Sequence, residues 1–242
     1  MNTKYIALSP IYSTDSNLIS QATYNKDDLR SIRCLKWDVP FDERKNIIGV
    51  YGEDFFTTHV AGQCGLHLCN VDDHWLATVP NQYLKRTVTR QKLKDVSVED
   101  SFIKPVEAKY FKAGIYKTKE AINGFNNLDK DQYVYISTVV EWDCEVRTFV
   151  QDDEIKTQST YLKDGQYYID THIPKDRDGF KKFTNAFLND PEVKLPKAIV
   201  IDFGYIKGFG WALIEANPVY SSGIYACDPL KVLEVLIKSC EN

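Results

Sequence analysis

The chain has 242 residues, of which 43% are hydrophobic, 26% charged and 13% aromatic, and this composition excludes a disordered chain, a collagen-like repeat and a small disulfide-stapled scaffold. At this length about 70 to 75% of the unfolded surface can be buried, enough for more than one packed unit. No apolar run reaches the roughly 20 residues a membrane-crossing helix needs, and the amino terminus lacks a signal-peptide core, so a soluble, cytoplasmic protein with no membrane partner is expected.

In chain order, short apolar strands are predicted at residues 5–8, 32–37 and 46–51, followed by a helix at 54–63; together they make a small α/β domain over residues 1–80. Val79, Pro80 and Asn81 mark its boundary. Residues 82–95 are polar and basic and read as a helix. Strands follow at 101–104, 113–116, 132–140, 145–150, 155–161 and 166–172. Phe180, Phe183 and Phe187 recur at three and four residues, which predicts a helix over 178–188 with one apolar stripe. A strand pair at 198–203 and 211–216 precedes an amphipathic helix at 229–239 carrying Leu230, Leu233, Leu236 and Ile237. The sum is an α+β fold with antiparallel sheets.

Charge is unevenly spread. Residues 85–119 hold ten Lys/Arg against four Asp/Glu in a chain of net charge -4. A nucleic-acid binder carries net basicity over a whole domain, so one basic segment in an acidic chain fits a compact polyphosphate better, and no nucleic acid is expected. The six cysteines, Cys34, Cys64, Cys69, Cys144, Cys227 and Cys240, show no paired spacing and read as reduced thiols.

Three segments carry candidate chemistry. In residues 198–218, AIVIDFGYIKGFGWALIEANP, two apolar strands flank a glycine-bearing turn. Strand side chains alternate faces, so Glu215 and Asn217 share a side. A two-residue turn at Lys207 and Gly208 would set Asp202 opposite Leu213 on that same face, diagonal to Glu215. Singly, such acids at strand ends face water; as a trio of oxygen donors they suit Mg2+. In residues 101–116, SFIKPVEAKYFKAGIY, Lys104 ends a strand and Lys109, Lys112 and Gly114 follow, a phosphate grip or an ordinary basic hairpin; no Walker loop is present. In residues 136–150, Glu145 and Arg147 sit two apart within an apolar strand and so share a face, either solvated or paired at a site.

Taken together, Lys104 before Pro105, the Glu145/Arg147 pair, and Asp202 followed by Glu215 and Asn217 resemble the ATP-grasp superfamily in order and spacing. Trp75 and Leu76 before Pro80, then Arg86, FIKP at 102–105 with Lys109 and Phe111, and NPVYSSGIYACDP at 217–229 resemble its clade named for two arginines and a lysine. The resemblance covers about residues 70–230. It implies a core over residues 81–242 whose smaller lobe (81–137) and larger lobe (138–242) clamp ATP, and ADP-forming ligation of a small-molecule or peptide carboxylate to an amine. By that resemblance Lys104 binds nucleotide phosphates, Glu145 the ribose, and Ile136, Ser137, Thr138 and Val139 form the hinge that meets adenine. Arg147 resembles the clade's strand arginine, aimed at the transferred phosphate or the acyl phosphate, and Asp202, Glu215 and Asn217 resemble the Mg2+ ligands. Where many members carry a glycine-rich lid, this chain has VEAKYFKAG; Lys109, placed with the catalytic groups, and Lys112, placed with the nucleotide-binding ones, offer side-chain charge instead.

Competing motifs are weaker. His59, Cys64, His67, Cys69 and His74 fit no standard zinc spacing, and residues 67–69 read as strand with a buried thiol. Asp202-Phe203-Gly204 lacks the companions a protein kinase needs. Lys163-Asp164-Gly165 reads as a hairpin turn. A nucleotidyl- or phosphotransferase using the same ATP site and a non-catalytic nucleotide-binding module are the alternative functions.

Overall fold

The computed structural model describes residues 3–97, 99–106 and 110–240. Strands β1 (Lys4–Leu8), β2 (Leu29–Arg33) and β3 (Ile47–Tyr51) form a parallel three-stranded sheet in the order β2-β1-β3. Ile6, Ala7 and Leu8 run consecutively buried, as a parallel strand covered on both faces requires. Helix α1 (Thr14–Thr23) opens on a capping box between Ser13 and Ser16, and α2 (Asp54–Cys64) stops at Gly65, whose φ of 69° suits a residue without Cβ. The sheet's core also takes in Val232, Leu233, Val235 and Leu236 from the last helix, α6 (Pro229–Lys238).

A second, antiparallel sheet joins β4 (Val88–Lys92), β5 (Ser101–Pro105), β6 (Gly114–Tyr116) and β7 (Tyr133–Ser137) in the order β4-β7-β5-β6. It has its own core of Leu93, Ile103, Phe111, Ile122, Val134 and Ile136. Lys104 lies opposite Tyr135, on the face turned away from that core.

The third sheet is antiparallel with five strands: β8 (Trp142–Gln151), β9 (Glu154–Lys163), β10 (Gln166–Asp170), β11 (Ala198–Ile206) and β12 (Gly210–Asn217), in the order β10-β9-β8-β11-β12. Strand parity divides its residues. Val146, Ile199, Ile201, Phe203 and Leu213 turn to α5 (Arg177–Leu188), where the rings of Phe180, Phe183 and Phe187 meet Phe203 edge-on. On the opposite face, Phe149, Ala198 and Val200 join the core that contains α6. Further along this second face stand Arg147, Asp202 and Glu215, so the site is laid out on a strip of sheet whose continuation is core. Two short helices, α3 (Trp75–Thr78) and α4 (Asn81–Leu84), pack Trp75 and Tyr83 against Phe187 and lead into β4.

Four expectations are corrected. Residues 32–37 are not one strand: β2 ends at Arg33, and Lys36 and Trp37 adopt positive φ in a short 3-10 turn. Residues 82–95 are not a helix; Lys85 takes φ 49°, ending α4, and the polar Thr-Arg-Gln-Lys stretch is an outer strand paired to β7. Residues 67–69 follow α2 without regular structure, so HLC is no strand. The β11–β12 turn is not two residues long, because Ile206 pairs with Gly210 and leaves Lys207, Gly208 and Phe209 as the loop. The turn at Asp164 and Gly165 does join β9 and β10 in two residues, both at positive φ, as a type I′ hairpin requires. No helix among the described residues is long and apolar enough to cross a membrane.

Candidate active site

The three-residue loop should by itself set Asp202 opposite Ile214 and turn Glu215 to the far side. A bulge at Ile214 restores the face: Phe203 pairs with Leu213, but Asp202 pairs with Glu215. The two acids thus stand directly opposite rather than diagonal, on the side expected. Asn217, two residues on, donates from Nδ2 to Glu215 Oε1 at 2.9 Å and to Asp202 Oδ2 at 3.4 Å.

Each acid also meets a cation. Arg147, opposite Asp202 on β8, donates Nε to Oδ1 at 2.9 Å and Nη2 to Oδ2 at 2.7 Å, a planar two-bond pair. Burial pushes the Asp202 carboxyl up against the pull of Arg147, while the same pairing, outweighing burial, pushes the Arg147 guanidinium up. Lys104 reaches over from the four-stranded sheet and contacts Glu215 Oε2. Burial would raise Glu215, but Lys104 and Asn217 outweigh it and hold its carboxyl below the usual range.

Tyr161 and Tyr225 extend this cluster, and nothing in the sequence reading singled them out. Their rings stack at 4.9 Å, with Arg147 5.0 Å from the Tyr225 centroid and 5.6 Å from that of Tyr161. The Tyr161 hydroxyl donates to Glu145 Oε2 at 2.5 Å, and burial lifts the Glu145 carboxyl. The only sequence signal for Tyr225 is its place in the segment after Asn217. That segment closes over the site: Gly223 O accepts from Arg147, Ile224 N–H donates to Asp15 of α1, and Ser222 O accepts from the Tyr51 hydroxyl.

Of the remaining candidates, Ile136 and Ser137 end β7 and Thr138 exchanges hydrogen bonds with Thr87, its N–H donating to Thr87 O and its Oγ1 accepting from Thr87 N–H. Val139 follows, half exposed. Lys112 is exposed on the β5–β6 connection and is not part of the contact network; its carbonyl accepts from the Tyr116 hydroxyl. Lys109 lies outside the described residues.

Among the described residues no three His, Cys, Asp or Glu side chains gather to hold a metal. Two carboxylates and one carboxamide do converge, with Asn217 turning Nδ2 to both acids; with that amide rotated to present Oδ1, the three would supply the oxygen donors a hard cation takes, its other positions filled by water or substrate oxygens.

Known proteins share the fold. Residues 83–235 match the model of an ATP-grasp domain family, the second family of the clade named for two arginines and a lysine. No curated protein matches the sequence. Among solved structures, D-alanine–D-alanine ligase from Bacillus anthracis superposes with a TM-score of 0.61 at 13% identity, over 99% of this chain and 97% of that one. The ATP-grasp ligase PsnB bound to a minimal precursor gives a TM-score of 0.58 at 12% identity, over 99% and 100%. The RimK domain ATP-grasp protein from Sphaerobacter thermophilus gives 0.58 at 8% identity, over 99% and 100%. At such identities the likeness is one of fold.

Proposed function

Since the chain belongs to this ATP-grasp domain family, the second of the two-arginine, one-lysine clade, we propose that it is an ATP- and Mg2+-dependent ligase. It joins a carboxylate to an amine through an acyl phosphate and releases ADP and phosphate. The observation that carries this reading is the meeting of Lys104 with Glu215 between the two antiparallel sheets, beside Asp202, Asn217 and Arg147.

A carboxylate is a poor acyl donor because its leaving group would be oxide. Attack of a carboxylate oxygen on the γ-phosphorus, with cleavage of its bond to the β–γ bridging oxygen, yields ADP and an acyl phosphate; attack of the amine on the carbonyl carbon then expels phosphate, and the amine proton passes to solvent. Little covalent work falls to the protein, whose task is alignment and neutralisation of charge on the phosphoryl oxygens. In this reading Lys104 binds the nucleotide phosphates and Arg147 the transferred phosphoryl group. Glu145 holds the ribose, and the backbone of Ile136, Ser137, Thr138 and Val139 meets adenine. Lys109 and Lys112 add charge from the β5–β6 connection. Asp202, Glu215 and Asn217 would hold the Mg2+, which supplies further charge neutralisation when bound. The segment after Asn217 and the Tyr161/Tyr225 pair keep water from the acyl phosphate. The substrates are a small-molecule or peptide carboxylate and an amine.

The test is product analysis with arrays of acids and amines. ADP and phosphate must appear only when both partners are present, and Glu215→Ala must abolish turnover while leaving the circular dichroism spectrum unchanged. Release of pyrophosphate would instead indicate a nucleotidyltransferase, and unaltered turnover by the variant would remove the metal assignment.

A further inference from the structure

Arg86 sits in the link between α4 and β4, and the ligase reading gives it no role. Its guanidinium donates to Leu213 O and, at 2.9 Å, to Ile214 O. Those are the carbonyls at the β12 bulge. A regular outer strand points successive carbonyls to opposite sides, whereas a bulge lets two neighbours face one donor fork. The central carbon of the guanidinium, Cζ, lies over the Trp142 ring, 5.2 Å from its centroid. That ring covers Gly204 so closely that a Cβ there would overlap it, and would meet Ile214 Cδ1 at 2.9 Å.

Burial lowers the Arg86 guanidinium to about 10, with Glu215 opposing the shift, which leaves it charged at neutral pH. The link is tied at both ends. Lys85 Nζ donates to Phe209 O at 2.7 Å in the β11–β12 loop, and Thr87 exchanges hydrogen bonds with Thr138. Arg86 is therefore held in place by contacts independent of its own side chain.

The bulge decides where Glu215 points. A slip of one residue moves every later side chain of a strand to the other face, so without it Asp202 would face Ile214 and Glu215 would leave the site. We propose that Arg86 is a positioning residue: it fixes the β12 bulge and thereby keeps Glu215 opposite Asp202 for the divalent cation. The inference rests on the ligase reading above, but its test is separable from that reading.

Arg86→Lys keeps a positive charge and loses the planar fork. In the full chain with adenylyl imidodiphosphate, Mn2+ titration followed by electron paramagnetic resonance should give a half-saturation raised about tenfold, while calorimetric affinity for metal-free ATP stays within about twofold. An unchanged Mn2+ half-saturation would overturn the assignment. So would an equal loss of metal-free ATP affinity, which marks a direct phosphate contact, or loss of native circular dichroism in both Arg86→Lys and Arg86→Met, which marks a general folding role. Wild-type protein that takes up no Mn2+ with the analogue would sink the ligase reading itself, and this inference with it.

Discussion

Lys104 and Glu215 face each other from different sheets, so an ammonium of the four-stranded sheet and a carboxylate of the five-stranded sheet neutralise one another where the two meet. In the ligase reading the same ammonium serves the nucleotide. Lys104→Ala is therefore expected to weaken ATP binding by about 1 to 3 kcal/mol, the worth of a charge-assisted contact. Calorimetry gives the answer directly, and equal affinities would remove Lys104 from the phosphate site.

The pair has a pH signature. Glu215 titrates below the ordinary carboxylate range, chiefly because Lys104 and Asn217 outweigh the upward push of burial. A depressed acid contributes stability that is fully present above the unfolded value, about 4.3, and lost as pH falls through the folded one. The difference in unfolding free energy between wild type and Glu215→Gln should stay level from neutrality down to about that value and shrink below it. A difference already shrinking near neutrality would contradict the assignment.

Arg147 and Asp202 are more deeply buried, with side-chain exposures of 11% and 1%. Removing one partner strands the other charge in the interior, so Arg147→Met should cost about 3 to 5 kcal/mol in urea unfolding. Arg147→Met combined with Asp202→Asn should be more stable than Arg147→Met alone. Strictly additive single effects would show that the two groups act independently.

Gly204 is demanded by the ring of Trp142 rather than by its own backbone angles. Gly204→Ala should destabilise by about 1 to 3 kcal/mol through overpacking. Adding Trp142→Leu should restore part of the loss in thermal unfolding; no recovery would place the strain elsewhere.

Strand parity made much of the site legible. Glu145 with Arg147, and Glu215 with Asn217, are each two apart on a strand, and no tertiary contact is needed to put each pair on one face. The relation between Asp202 and Glu215 was accessible only in part. A loop one residue longer than expected and a bulge at Ile214 shift the register by two positions in all, so the face survives while the partner changes from Leu213 to Glu215. Bulges leave no mark in hydrophobic periodicity. Arg86 was equally unreadable as a contact, because its partners are backbone carbonyls, whose positions no side-chain pattern encodes. The stretch from Val88 to Lys92 misled as a helix because an outer strand with few apolar residues has no alternation to display. Helix α1 leaves little apolar periodicity for a similar reason: few of its residues are buried, and its start is written in Ser13 and Ser16 rather than in apolar spacing.

The carboxyl-terminal helix completes the interior of the amino-terminal sheet, with Leu233 and Leu236 sharing a core with Ile6 and Leu8. During synthesis the first strands leave the ribosome some two hundred residues before the element that shields them. The opening segment must then wait, partly uncovered, until Pro229–Lys238 has been made and can dock.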